Sequence, residues 1–186
     1  MSARRPTPLA RIELLLLDVD GVLTDGRLYY SARGESLKVF HVRDGHGIKL
    51  LAGAGVTVAV ASGRRSAAVG TRMRELGVRH VAQGCTDKVR TLLALARRLD
   101  IDPLATACLV DDTPDLPLMS AVGFAGAVAD AHPLVRSAAH WVSRAPGGRG
   151  AARELADALL RAKSRLDVRA PFGSRPRLRS GSRDDS

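Results

Sequence analysis

The sequence predicts an α/β protein: a three-layer α/β/α sandwich built on a parallel sheet, with a small β-hairpin insertion and no large cap domain. Three observations predict it. Residues 12–17 are a near-continuous apolar run, the mark of a strand buried on both faces. From residue 56 onward, apolar strand-like runs alternate with amphipathic stretches across short links, which implies parallel strands with helices on both sides. The 186 residues are 45% hydrophobic and 26% charged, a composition that supports one buried core without metal or disulfide staples.

Residues 1–11, with Pro6 and Pro8, read as a flexible lead-in. The first strand stops at the polar turn Asp18-Val19-Asp20-Gly21. Residues 27–31 and 36–40 flank residues 32–35 as a hairpin. Residues 44–54 read as a helix with Ile48, Leu50 and Leu51 inward, ended by Gly55. Strands follow at 56–61, 78–82, 105–110, 123–127 and 140–142. Helices follow at 66–76, 86–99, 114–122, 133–138 and 150–166. The expected organisation is therefore one domain over 12–166 and a tail over 167–186.

The charge balance is uneven. Lys and Arg number 29 against 19 Asp and Glu, a net +10, which raises nucleic acid or an anionic membrane as partners. Residues 161–186 alone hold eight basic and three acidic residues, half of that excess. The Arg-, Ser-, Gly- and Pro-rich end has too little apolar surface to offset its ordering entropy and is expected to be disordered. Only six aromatic residues occur in the chain, so there is little for base stacking and nucleic acid is not the favoured partner. No apolar run approaches the length of a membrane span. The two cysteines, Cys85 and Cys108, form no CxxC pair. A reduced, cytoplasmic location with no membrane association is expected.

Four polar clusters fall where strands end or helices begin. They are Asp18-Val19-Asp20-Gly21 with Thr24 and Asp25, Ser62-Gly63-Arg64-Arg65, Lys88, and Asp111-Asp112 with Asp115. In a parallel α/β sheet these positions converge on one crevice. An isolated aspartate after a strand is ordinarily a helix cap or turn residue, and Asp25 and Asp115 can each be read that way. Four clusters in this order are much harder to obtain by accident. Carboxylates at the ends of two strands repel unless a cation lies between them, and hard oxygen donors suit Mg²⁺. The five histidines make no metal-ligand spacing, no GxxxxGK[ST] loop occurs, and Cys85 has no partner pattern of a nucleophilic thiol.

In this order and spacing the motifs resemble the haloacid dehalogenase (HAD) superfamily of phosphohydrolases. The resemblance implies that Asp18 is the nucleophile and that Asp20 protonates the leaving group and then activates water. Ser62 and Lys88 would bind the transferring phosphoryl group. Asp18, Asp111 and the Asp20 backbone carbonyl would hold Mg²⁺.

Three further segments, residues 40–49, 128–133 and 147–151, are similar to the 3-deoxy-D-manno-octulosonate 8-phosphate (KDO 8-phosphate) phosphatases of lipopolysaccharide biosynthesis. That family implies a homotetramer whose inserted hairpins form a central barrel and whose neighbouring subunits help close each site. It also implies sugar-acid contacts from Asp20, His41, Val42, Arg43, Asp44, Gly45, Lys49, Arg64, Arg72 and Lys88. Three positions depart from the family pattern: Val110 stands for the usual Gly, Ser62 for Thr and Lys49 for Arg. Two other readings stay open: a phosphatase for a nine-carbon acid such as an N-acylneuraminate 9-phosphate, and a non-catalytic oligomerisation module of a cytidylyltransferase.

Overall fold

Four consecutive leucines, Leu14–Leu17, form strand β1, and all four are buried. The computed structural model describes residues 6–163. Expectations for residues 1–5 and for the basic tail fall outside the described residues. After β1 come β2 (Tyr29–Ser31), β3 (Gly34–Leu37), α1 (Val42–Gly53), β4 (Thr57–Ser62), α2 (Ala67–Leu76) and β5 (His80–Gln83). Then follow α3 (Lys88–Leu99), β6 (Thr106–Val110), α4 (Leu116–Ala121), β7 (Phe124–Ala127), α5 (Pro133–Ala138), β8 (Trp141–Val142) and α6 (Ala151–Ala162).

The main sheet has six strands in the order β5-β4-β1-β6-β7-β8, and every neighbouring pair is parallel. The chain runs outward from β1 through β4 to β5, then returns to β6 on the other side of β1. That reversal opens a crevice at the carboxyl ends of β1, β4 and β6. Helix α1 packs against α2 and α6, while α3 packs against α4, and both α1 and α3 reach β4. The expected α/β layering is observed.

The differences are local. Residues 6–11 are not loose: Leu9–Arg11 form a 3₁₀ turn, and the Thr7 N–H donates to the Gly123 carbonyl at 2.8 Å. The hairpin turns at Ala32-Arg33 alone, and Gly34 and Glu35 belong to β3. Helix α1 begins at Val42, two residues before the sequence periodicity starts, because the His41 side chain caps it by accepting from the Arg43 N–H at 3.2 Å. Val110, in place of Gly, is fully buried at the end of β6 and is not among the residues with positive φ. The core accommodates it.

Asp44, read from the resemblance as a substrate contact, has a structural role in the fold. It is only 2% exposed. Its carboxylate accepts from the N–H groups of Gly150 at 3.1 Å and Arg153 at 2.9 Å. Those two residues stand at the start of α6, so α1 supplies the N-terminal cap of α6. Burial pushes the Asp44 carboxyl above its ordinary range, against the pull of those two hydrogen bonds. Gly47, one turn on, lets the helices close: a Cβ there would lie 3.0 Å from Arg153 Cδ and 3.1 Å from Ala156 Cβ. Asp44→Ala leaves two buried donors unpaired and is expected to cost about 2–4 kcal/mol in urea unfolding. A loss below about 0.5 kcal/mol, the scale of ordinary surface changes, would show that the cap contributes nothing.

Candidate active site

Each chemistry-bearing residue is placed by a strand end or a helix start. Asp18 directly follows β1, and its N–H donates to the Leu109 carbonyl of β6 at 3.1 Å. Ser62 ends β4 and Asp111 follows β6. Lys88 opens α3, whose N-cap Asp87 accepts from the Arg90 N–H at 2.9 Å. Together with Asp20, Arg64 and Asp115 these residues line a crevice of about 360 Å³.

Lys88 is the hub. Its Nζ lies 3.0 Å from Asp18 Oδ1 and 2.7 Å from Asp115 Oδ2. One carboxylate oxygen from each of Asp18, Asp111 and Asp115 falls within 4.8 Å of the others. One lysine does not balance three carboxylates. Burial, and behind it repulsion from Asp115, raises Asp18 against the pull of Lys88. Burial with repulsion from Asp18, Asp115 and Asp112 pushes Asp111 up to about 7. Burial works to lower Lys88, yet the Asp18 and Asp115 carboxylates hold it above its ordinary value.

The donor set is all oxygen, short of positive charge, and includes Asp115 Oδ1, buried without a hydrogen-bond partner. These residues fit a hard divalent cation such as Mg²⁺. Gly21 belongs to the same construction: at φ +87° it keeps clear of Asp111, whose carboxylate a Cβ would overlap.

The structure thus brings together Asp18, Asp20, Ser62, Arg64, Lys88 and Asp111. Ser62 is 2% exposed, and its Oγ accepts from the Arg64 N–H at 3.2 Å. The other expected substrate contacts do not line this crevice. His41 and Arg43 line a separate cavity of about 370 Å³ with Arg149. Val42 is 78% exposed and Lys49 is exposed on α1. Gly45 is buried against the Arg72 guanidinium, which pairs with Glu75 at 3.2 Å.

Asp115 was open to reading as a turn residue. It is 3% exposed and its side chain caps no helix; its spacing after Asp111-Asp112 was the available signal. Lys38 and Glu35 were missed. Both come from the hairpin, and Lys38 pairs directly with Asp20.

The Gly147-Gly148 segment lies on the loop that carries Asp20. The Gly148 N–H donates to the Val22 carbonyl at 2.9 Å and the Gly147 N–H to Asp130 Oδ1 at 2.8 Å. A side chain at Gly147 would overlap the Gly21 carbonyl.

Comparison with known proteins agrees with this geometry. The family model of haloacid dehalogenase-like hydrolases matches residues 80–155. The 3-deoxy-D-manno-octulosonate 8-phosphate phosphatase KdsC of Yersinia pestis is 45% identical over 158 residues, 85% of this chain and 84% of its own. The chain belongs to the KDO 8-phosphate phosphatase family. A crystal structure of the Y. pestis phosphatase matches with a TM-score of 0.84 over 86% of both chains. The Moraxella catarrhalis phosphatase, solved with a magnesium ion, a phosphate ion and KDO, matches at 35% identity and a TM-score of 0.84. It covers 87% of this chain and 92% of its own. As a member of this phosphatase family, the chain is a HAD-like phosphoric monoester hydrolase.

In the metal-free protein Asp111 keeps its proton up to about pH 7, whereas the unfolded chain releases it near 3.8. The folded state then binds more protons across that window, so stability falls as pH rises from about 4 to 7 and levels off above. Mg²⁺ must displace that proton. Thermal melts are therefore expected to show a slope of this sign with chelator and a shallower one in saturating Mg²⁺, where the raised Asp44 still contributes, and Asp111→Asn to lose the Mg²⁺-induced shift. A melting profile indifferent to Mg²⁺ at every pH contradicts this assignment.

Proposed function

We propose that this chain is a Mg²⁺-dependent phosphatase that hydrolyses KDO 8-phosphate to KDO and phosphate through an aspartyl-phosphate. The observation that carries the reading is Asp18 at the end of β1, held 3.0 Å from Lys88 in the crevice shared with Asp20 and Asp111. The sugar acid is named by the activity of the relatives and by the KDO complex of the M. catarrhalis phosphatase. This favours the eight-carbon substrate over a nine-carbon acid. The complete set of Asp18, Asp20, Lys88 and Asp111 argues against a non-catalytic module.

An Asp18 carboxylate oxygen attacks phosphorus while the bond to the sugar oxygen breaks, and Asp20 gives its proton to that oxygen. Asp20 then takes a proton from water, which attacks the same phosphorus and frees Asp18 and inorganic phosphate. Lys88 neutralises charge on Asp18 and on the transferring group, and Ser62 donates to a phosphoryl oxygen. Mg²⁺, held by Asp18, Asp111 and the Asp20 carbonyl with Asp115 beside them, would add a second positive charge at the phosphoryl oxygens.

Arg64 lines the crevice and is assigned a contact to the sugar acid from its own chain. His41, Val42, Arg43, Lys49 and Arg72 are assigned to the rim of a neighbouring copy's crevice. What supports this is the apolar surface of the hairpin and of the segment that leads into α1: Leu28, Tyr29, Tyr30, Leu37, Val39 and Val42 are all exposed large hydrophobics. A hairpin with such a face favours assembly, and a homotetramer built on it would close each crevice. Both cysteines are free and no helix among the described residues is long and apolar enough to cross a membrane; a cytoplasmic enzyme fits both.

Asp18→Asn is expected to cut turnover by on the order of 10⁴-fold or more while the fold stays intact by circular dichroism. Single-turnover trapping with labelled substrate should place phosphate on Asp18; substantial residual activity would remove Asp18 as the nucleophile. Light scattering should give four times the chain mass of 19.7 kDa. A monomer at working concentration would count against the shared crevice.

A further inference from the structure

Lys38 follows β3 on the inserted hairpin, yet its side chain is only 1% exposed. A buried ammonium is costly unless it is paired. Lys38 is paired twice: Nζ contacts Asp20 Oδ1 and lies 3.4 Å from Glu35 Oε2. Glu35 Oε2 also accepts from Arg64 Nη2 at 3.2 Å, and that nitrogen reaches the Tyr30 hydroxyl at 2.7 Å. The hairpin strands bury no apolar side chain. Polar contacts therefore tie it to the crevice, and they converge on the one carboxylate that must change roles within the reaction.

We propose that Lys38 is a positioning residue for Asp20, holding Oδ1 so that Oδ2 faces the oxygen of the departing sugar. The inference rests on the reading of Asp20 as the proton donor. In the first step the Asp18–phosphorus bond forms, the phosphorus–sugar oxygen bond breaks, and the Asp20 proton moves to that oxygen. A carboxyl group free to rotate about its side chain would present that proton in many directions. Contact with a buried ammonium, itself fixed by Glu35, selects one. Glu35 thus links the placement of the proton donor to the placement of Arg64, which lines the same crevice.

The test uses leaving-group dependence. Misplacing a proton donor penalises an alkyl phosphate, whose alkoxide needs the proton, far more than p-nitrophenyl phosphate, whose leaving group departs without one. The full-length enzyme with Mg²⁺ is assayed for kcat/KM, which reports the steps through aspartyl-phosphate formation. Lys38→Met is expected to lose about 10–100-fold on KDO 8-phosphate and less than about threefold on p-nitrophenyl phosphate, with Lys38→Arg recovering most of the loss. Equal losses on both substrates, or no loss, would overturn the proposal.

Asp20→Asn serves as the reference. If it shows leaving-group dependence and Lys38→Met does not, only the role of Lys38 fails. If it shows none, the assignment of Asp20 fails and the positioning role with it. Should Lys38→Met not fold, Glu35→Gln carries the test, with a smaller loss biased the same way expected and an unbiased result counting against the proposal.

Discussion

Three carboxylates held around one lysine set the terms for the rest of the molecule. Two unit charges 4 Å apart interact by about 4 kcal/mol near a protein surface, and Asp18, Asp111 and Asp115 are brought within 4.8 Å of one another. Nothing flexible would hold that arrangement. Asp18 and Asp111 stand on adjacent parallel strands, pinned by the register of Leu17 with Leu109. The strands are in turn immobilised by the unbroken burial of Leu14–Leu17 and of Ala107–Val110. The core is the counterforce to electrostatic repulsion at its edge.

Positive charge reaches the site from elements that differ in origin. Lys88 comes from a helix start that belongs to the sheet's own architecture. Lys38 comes from an inserted hairpin with no place in that architecture. A divalent ion fits the remaining oxygen donors. A phosphoryl group bound at Asp18 would therefore meet the α/β core, while Asp20, proposed above as the proton donor, meets the insertion. The division matches the chemistry: phosphoryl transfer is common to the superfamily, whereas the alcohol being released is what distinguishes one member from another.

Much of this was legible in the sequence because the chemistry sits at breaks in hydrophobic pattern. Asp18, Ser62 and Asp111 each follow an apolar run, so their convergence follows from parallel topology alone. Side chains whose role depends on a long-range fold-back were not legible. Lys38 reads as an ordinary surface lysine in a hairpin, and only the docking of that hairpin buries it. Asp44 lies in a segment that reads as ligand-binding, yet helix α6, more than a hundred residues later, claims both its oxygens. Asp115 is intermediate: its spacing was visible, its burial was not. Helix α1 started early for a similar reason, since a cap is a contact of one side chain and leaves no periodicity.

The Gly147-Gly148 seat against residues 21–25 has a consequence for how this chain tolerates change. The segment is remote from the nucleophile in sequence and contributes no reactive group. Its backbone nevertheless occupies space that any Cβ would contest with the catalytic loop. Drift at these two positions is thus constrained by the backbone of residues 21–25, and at Gly148, with φ +65°, by its own conformation as well. A methyl group introduced at either position would have to push aside the backbone of the loop that follows Asp20.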